Sequence, residues 1–391
     1  MKPAVAFVWG SFGPYHVDRL EAAAAALAET HRVIGIEIAG TTDIYAWDRT
    51  ERVDGAERIT LFPAHTEEEV PAWRKFVALL RACRAVRARH VFLCNFNEPQ
   101  TFPLAIWLRL TGRAVHLMIE SKFDDKPRLL WREMLKHMFY LPYRTALVGG
   151  SRHRDYLRFF GFKAERIEFG YDTVSGDRVR RLSGSAPAPG GAEFRTRHFT
   201  IVARLVPKKN IAMALEAYGL YVRRAGGGAR ELHICGSGPL ERELRAQAEG
   251  LGLSSVRFRG FVQAPEIART LAASLALVLP STEEQWGLVV NEAVAMGVPI
   301  LCSWNVGARD ALLRNAVNGY AFEPDNPAGL ARMMEMMASD EGAWRRMAEA
   351  SSRLAPLGDT RCFGAAVARL VRGPAADSSN LAKGPADEDP A

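Results

Sequence analysis

Over 391 residues, 48% hydrophobic and 24% charged composition describes a folded globular chain with room for two or three domains, which excludes wholesale disorder and fibrous classes. Lys and Arg number 51 against 44 Asp and Glu, a formal charge of +7 that makes phosphates, nucleic acid or a lipid surface the partners to test. The 5 cysteines form no C-x-x-C pair, which argues against a disulfide framework or zinc site and fits a reducing cytosol, and no apolar run approaches the roughly 18 residues that span a bilayer.

Residues 4–9 predict a buried strand, stopped by Gly10, rather than a secretory segment. A Gly/Pro loop follows at 10–14, then a helix from about His16 leading to a strand at 33–38. The alternation recurs as a helix at 74–89, a strand at 91–94, a helix at 102–110 and a strand at 114–119, the signature of a parallel sheet. Apolar periodicity fails over 172–197, where Ser-Gly-Ser-Ala-Pro-Ala-Pro-Gly-Gly at 183–191 has linker composition. A second series has strands at 198–203, 231–235, 256–258, 275–279 and 299–302. Its helices fall at 211–224, 240–251, 266–273 and 288–296, with two more ending near Met347. The expected organisation is a Rossmann-like domain over 1–172, a linker over 173–197 and a second Rossmann-like domain over 198–358. A helix at 359–372 packs back on the first domain, and a disordered tail occupies 373–391. Two doubly wound α/β domains in tandem leave a cleft lined by strand ends and helix N-termini, where open sheets of this kind bind ligands.

The densest chemical signal runs from Pro280 to Pro299. A buried strand ends at Pro280, a polar loop holds Glu284, and Gly287 turns the backbone into a helix whose first amides attract an anion. Glu292 is expected more than one turn inside that helix, on the cleft side, so two carboxylates bracket an anion site and suit a phosphorylated sugar. The bland alternative is that the acidic residues merely complement a helix start. Arg204 and Lys209, five apart across a proline-containing turn, can together neutralise a diphosphate; a basic surface turn is the alternative. Gly236-Ser-Gly238-Pro-Leu lacks the third glycine of a dinucleotide fingerprint, since residue 241 is Glu, and reads equally as a loop admitting a nucleotide or as a structural turn. In the first half, Gly13 and His16 border the first loop, and Glu120 and Ser121 follow the strand at 114–119. Helix capping by Ser121 and a satisfied loop histidine are their structural alternatives. H-E-x-x-H, G-x-S-x-G and P-loop motifs are missing, and the one D-x-D run is Asp387-Glu388-Asp389 in the tail.

Glu284 and Glu292, as Glu-x(7)-Glu around Gly287, together with Arg204 and Lys209, resemble the retaining glycosyltransferases of family 4, a GT-B group within glycosyl transferases group 1. The resemblance is strong over residues 198–335, including Gly236-Ser-Gly-Pro-Leu, Arg259-Gly-Phe and Val317-Asn-Gly-Tyr-Ala-Phe, and weaker in the first half. It implies two Rossmann-like domains facing a central cleft, the first for the acceptor and the second for a nucleotide-sugar donor. It further implies that Glu284 contacts the donor sugar and Glu292 the ribose, and that Arg204 and Lys209 bind the diphosphate. Amides near Gly287, Leu288 and Val289 assist, and Gly236 and Gly238 sit beside the nucleotide. Two departures stand out: Ala203 replaces the usual glycine, and Ile119-Glu120-Ser121 stands where the family often has a histidine, leaving Glu120 or His16 as substitutes.

The expected activity is retaining, metal-independent transfer, without a cofactor, from a nucleotide-diphosphate sugar to a cell-envelope, lipid-linked or polysaccharide-precursor glycan. The expected location is the cytoplasm, with peripheral contact at the inner face of the membrane through stretches 73–90 and 126–144, where Arg and Lys interleave with apolar residues. An ordinary solvated helix face is the alternative for both stretches. Rival functions are a nucleotide-sugar epimerase or hydrolase of the same shape and a non-catalytic partner subunit. Nucleic-acid binding is disfavoured because no basic module is concentrated.

Overall fold

The computed structural model describes residues 2–41, 52–94, 96, 98–125 and 128–373. The first half begins β1 (Ala4–Trp9), α1 (Pro14–Leu27), β2 (Arg32–Thr41), β3 (Glu57–Thr66), α2 (Ala72–Ala85) and β4 (Ala88–Leu93). It continues α3 (Thr101–Leu110), β5 (Ala114–Ile119), α4 (Leu130–Tyr140), β6 (Thr145–Val148), α5 (Ser151–Phe159) and β7 (Ile167–Phe169). After α6 (Gly176–Ser183) come β8 (His198–Val202), α7 (Ile211–Ala225), β9 (Leu232–Cys235), α8 (Glu241–Gly250), β10 (Val256–Gly260), α9 (Ala264–Ala272) and β11 (Ser274–Leu279). The chain closes with α10 (Val289–Ala295), β12 (Ile300–Ser303), α11 (Arg309–Leu312), β13 (Gly319–Phe322), α12 (Pro327–Ser339), α13 (Glu341–Leu354) and α14 (Thr360–Arg372).

The strands form two all-parallel sheets, ordered β3-β2-β1-β4-β5-β6-β7 and β10-β9-β8-β11-β12-β13. β1 and β11 are buried at every residue, as expected of strands covered by helices on both faces, which is why they read as unbroken apolar runs. Strand order reverses at β1 in the first sheet and at β8 in the second. Loops leaving neighbouring strands there diverge and open a crevice at the carboxyl ends.

Residues 173–197, expected as a linker, hold α6. This helix packs on α9 and α10 and buries Val179. Its sequence carries too few apolar residues to show a stripe; Ser175 caps it by accepting from the Arg178 amide at 3.1 Å, and Arg178 pairs with Asp18 of α1 at 2.8 Å. Farther along, the Ala188 amide donates to Met296 at 2.8 Å, and the buried Arg197 guanidinium donates to the carbonyls of Ala272 and Ser274, both at 3.0 Å. α14 lies on α1, with the Phe363 ring 5.7 Å from that of Phe7 in β1. Of the expected tail, Gly373 follows α14; residues 374–391, including the D-x-D run, and residues 126–127 at the start of the second basic stretch lie outside the described residues.

Candidate active site

The loop after β8 is tied to its neighbours by main-chain geometry. Asn210 adopts a left-handed conformation (φ 56°), and its side-chain amide donates to the carbonyls of Pro280 (3.2 Å) and Pro324 (2.7 Å). The Thr282 amide donates to Lys208 at 2.9 Å. This stitching brings Lys209 from the β8 loop against Glu284 from the β11 loop as a hydrogen-bonded ion pair, each side chain 14% exposed. Ser281 donates to the same Glu284 oxygen at 3.0 Å. Arg204 stands exposed on the same loop as Lys209. The switch point of the second sheet therefore gathers three of the sequence-selected residues.

Gly236 and Gly238 have an immediate structural duty. Added Cβ atoms would lie 1.9 Å from the Ala203 carbonyl oxygen and 2.5 Å from that of Leu205, and both glycines have positive φ. The loop carrying them accepts from Leu205 through the Ser237 carbonyl (2.9 Å) and donates back through the Leu240 amide (3.1 Å). Of the two readings left open for this segment, close packing of the β8 and β9 loops is the one the backbone displays. Gly287 has φ +99° and turns the chain into α10, where the first helical hydrogen bond runs from Val290 to Gly287 at 2.9 Å. The amides of Gly287, Leu288 and Val289 precede that bond.

Glu292 departs from its expected position. α10 starts only at Val289, so Glu292 lies in its first turn, and the residue is 4% exposed beneath Tyr15 of the other domain, whose hydroxyl donates to its carboxyl at 3.1 Å. Burial raises the Glu292 pKa against the pull of Arg178.

In the first half, Gly13 caps α1 and its amide donates to His16 Nδ1 at 3.0 Å. The accepting Nδ1 assigns the proton to Nε2, and burial with help from Arg19 lowers the His16 pKa to about 3, so the ring is neutral. It packs on Trp9 and Phe12. His16 thus has the hydrogen bond of a satisfied loop histidine. Glu120 and Ser121 leave β5 half-buried at the mouth of the first crevice. Asp172, buried beside Glu120, has no hydrogen-bond donor for either carboxyl oxygen among the described residues. Burial first, then Glu120, pushes the Asp172 carboxyl well above the usual range, against Arg19 at 3.6 Å.

The sequence reading did not single out the residues that hold the two crevices together. Arg152 at the start of α5 donates to Asp310 (2.6 Å), Asp124 (2.7 Å) and the carbonyl of Val306 (2.5 Å). His153 Nε2 bonds the Gln285 carbonyl at 3.0 Å. Trp286 packs on Gly149, where an added Cβ would meet its ring at 2.6 Å, and donates to Asn291 at 2.8 Å. Asn291 in turn donates to the carbonyls of Asp172 (2.9 Å) and Gly358 (3.0 Å). A signal was available for Trp286 and Asn291, which lie inside the Pro280–Pro299 run; for Arg152 and His153 there was none. Among the described residues, no group of three or more His, Cys, Asp or Glu is placed to hold a metal ion.

This architecture is that of the GT-B glycosyltransferases. Sucrose-phosphate synthase from Thermosynechococcus elongatus superimposes with a TM-score of 0.70 over 95% of this chain and 98% of that one at 17% identity. Anabaena Alr3699/HepE in complex with UDP does so with 0.68 over 95% and 100% at 15% identity. Residues 192–353 match the family described as glycosyl transferases group 1. Among curated relatives, the D-inositol 3-phosphate glycosyltransferase of Streptomyces avermitilis is 35% identical over 131 residues, 33% of this chain and 27% of that protein. The chain spans 25% to 38% of the length of the first curated relatives it matches.

Proposed function

We propose that the chain is a retaining glycosyltransferase of family 4 that moves a sugar from a nucleotide-diphosphate donor to a lipid-linked or cell-envelope glycan at the cytoplasmic side of the membrane. The observation that carries this reading is the Lys209–Glu284 ion pair at the switch point of the second sheet, beside the amides that open α10, with Arg204 exposed on the same loop as Lys209. UDP bound to the Anabaena protein of like fold supports a nucleoside-diphosphate donor. In this mechanism Lys209 exchanges Glu284 for the diphosphate, and Arg204 and the amides of Gly287, Leu288 and Val289 share its charge without a metal or cofactor. Glu284, released, takes donor-sugar hydroxyls, and Glu292 takes the ribose once Tyr15 moves off it.

The bond from the anomeric carbon to the phosphate oxygen breaks while the acceptor oxygen bonds that carbon on the same face. The acceptor's proton passes to the departing phosphate oxygen. Charge builds on the leaving group, so preorganised cations are the largest catalytic contribution available; loss of one such donor costs on the order of 3 kcal/mol, about a hundredfold in rate. Of the two substitutes for the family's histidine, Glu120 is favoured, because His16 already spends Nδ1 on Gly13.

A panel of nucleotide sugars, read by release of free nucleoside diphosphate with and without acceptor glycans, tests the reading. Lys209→Ala should lower turnover about a hundredfold with the unfolding temperature retained. Unchanged turnover removes the mechanism, and epimerised or hydrolysed donor formed without acceptor selects the rival activity.

A further inference from the structure

α4 presents its apolar side outward. Its buried residues are Glu133 and Tyr140, with Lys136 half-buried between them. Leu130, Trp131, Met134, Leu135, Met138 and Leu141 are each more than half exposed. At 3.6 residues per turn these six side chains fill one arc of about 140°, centred opposite the buried side. A helix that packs on its own domain does the reverse. Phe123 and Phe159, also exposed, meet edge-on with ring centroids 5.5 Å apart.

The exposed charges of α4 itself are of one sign. α4 exposes no carboxylate: its single acid, Glu133, is buried and paired with Arg128 (3.3 Å) and Lys136 (2.8 Å). Arg132 lies over the Trp131 ring at 5.2 Å, at one edge of the stripe. From 128 to 166 the sequence carries nine Lys or Arg against three Asp or Glu. A contiguous apolar stripe on a soluble surface marks a contact, and a basic rim selects what fills it. Stripe-to-stripe pairing with a second copy would oppose two basic rims, whereas anionic headgroups above acyl chains satisfy both the rim and the stripe.

We propose that the outward stripe of α4 docks this protein on an anionic lipid bilayer. Leu, Met and Trp side chains enter the headgroup boundary while Arg132 and the neighbouring basic side chains meet lipid phosphates. β5 ends one residue before Glu120, and α4 starts ten residues after Glu120 in the same half of the chain, so docking sets the first crevice near the lipid surface. The proposal stands on the surface of α4 alone and does not require the transferase reading.

Co-sedimentation of the full chain with vesicles of phosphatidylcholine, or of phosphatidylcholine mixed with phosphatidylglycerol, tests it. The parent should bind the mixed vesicles about tenfold or more tightly than the neutral ones, less so as salt rises. The double substitution Leu135→Glu, Met138→Glu should weaken that binding about tenfold or more, with the unfolding temperature held because both sites are exposed. Absence of binding to the mixed vesicles, equal binding by the double variant, or a parent dimer that the double variant dissociates while vesicles recruit neither protein would each overturn it.

Discussion

Tyr15 and Glu292 are 277 positions apart and meet through one hydrogen bond, so the carboxyl assigned to the donor's ribose is already occupied by the protein itself. Replacing Tyr15 by Phe keeps the ring and removes the donor. Leaving a buried carboxyl unsatisfied costs about 1–3 kcal/mol, so Tyr15→Phe is expected to lower the unfolding temperature. It is also expected to tighten nucleoside-diphosphate binding severalfold, because the ligand no longer competes with the phenol; calorimetry with UDP and other nucleoside diphosphates measures it, and weaker binding would contradict the competition. Lys209 and Glu284 were legible in the sequence because each lies in the loop that leaves an apolar strand. Tyr15 was not, because no local pattern reports a contact between distant halves of a chain. The same is true of Asp172, which meets Arg19 of α1 at 3.6 Å from a loop more than 150 positions away.

Elements whose stability comes from an apolar stripe were read from periodicity, and the misses share a physical cause. β3 is an edge strand with few fully buried positions and a proline inside it; β6, β7 and β13 are three or four residues long, too short for a period to show. α6 is held by polar contacts: Asp18 accepts from the Arg178 guanidinium at 2.8 Å and from the Ser175 amide at 3.0 Å. That carboxylate is buried, and removing one partner of a buried pair typically costs about 3–5 kcal/mol. Arg178→Ala is therefore expected to destabilise by that order in denaturant titration, while Arg181→Ala on the same helix should leave the midpoint nearly unchanged.

For the molecule as a whole, burial of imidazoles sets the response to acid. Burial lowers His16, His116 and His198 to about 3 and His90 and His153 to about 4, from 6.5. Between those values the unfolded chain binds more protons than the folded one, so stability rises with pH there; the contribution is complete above 6.5 and is lost as pH falls through the folded values. Glu67, Asp172 and Glu292, raised by burial, act in the opposite sense, three carboxyls against the five imidazoles just named. Thermal unfolding should be level above about pH 7 and decline steadily toward about pH 5. A midpoint that rises on acidification would show the carboxyls to dominate.

The returning helix α14 bears on how the protein is made. Phe363, Ala366 and Val367 of α14 share one apolar cluster with Val5, Phe7 and Trp9 of β1. β1 is thus translated long before the helix that completes its packing. The first sheet can assemble its hydrogen bonds during synthesis, but one face of its central strand stays uncovered until the second sheet has been translated and the returning helix arrives. In the cell, that interval is when this chain most needs a chaperone.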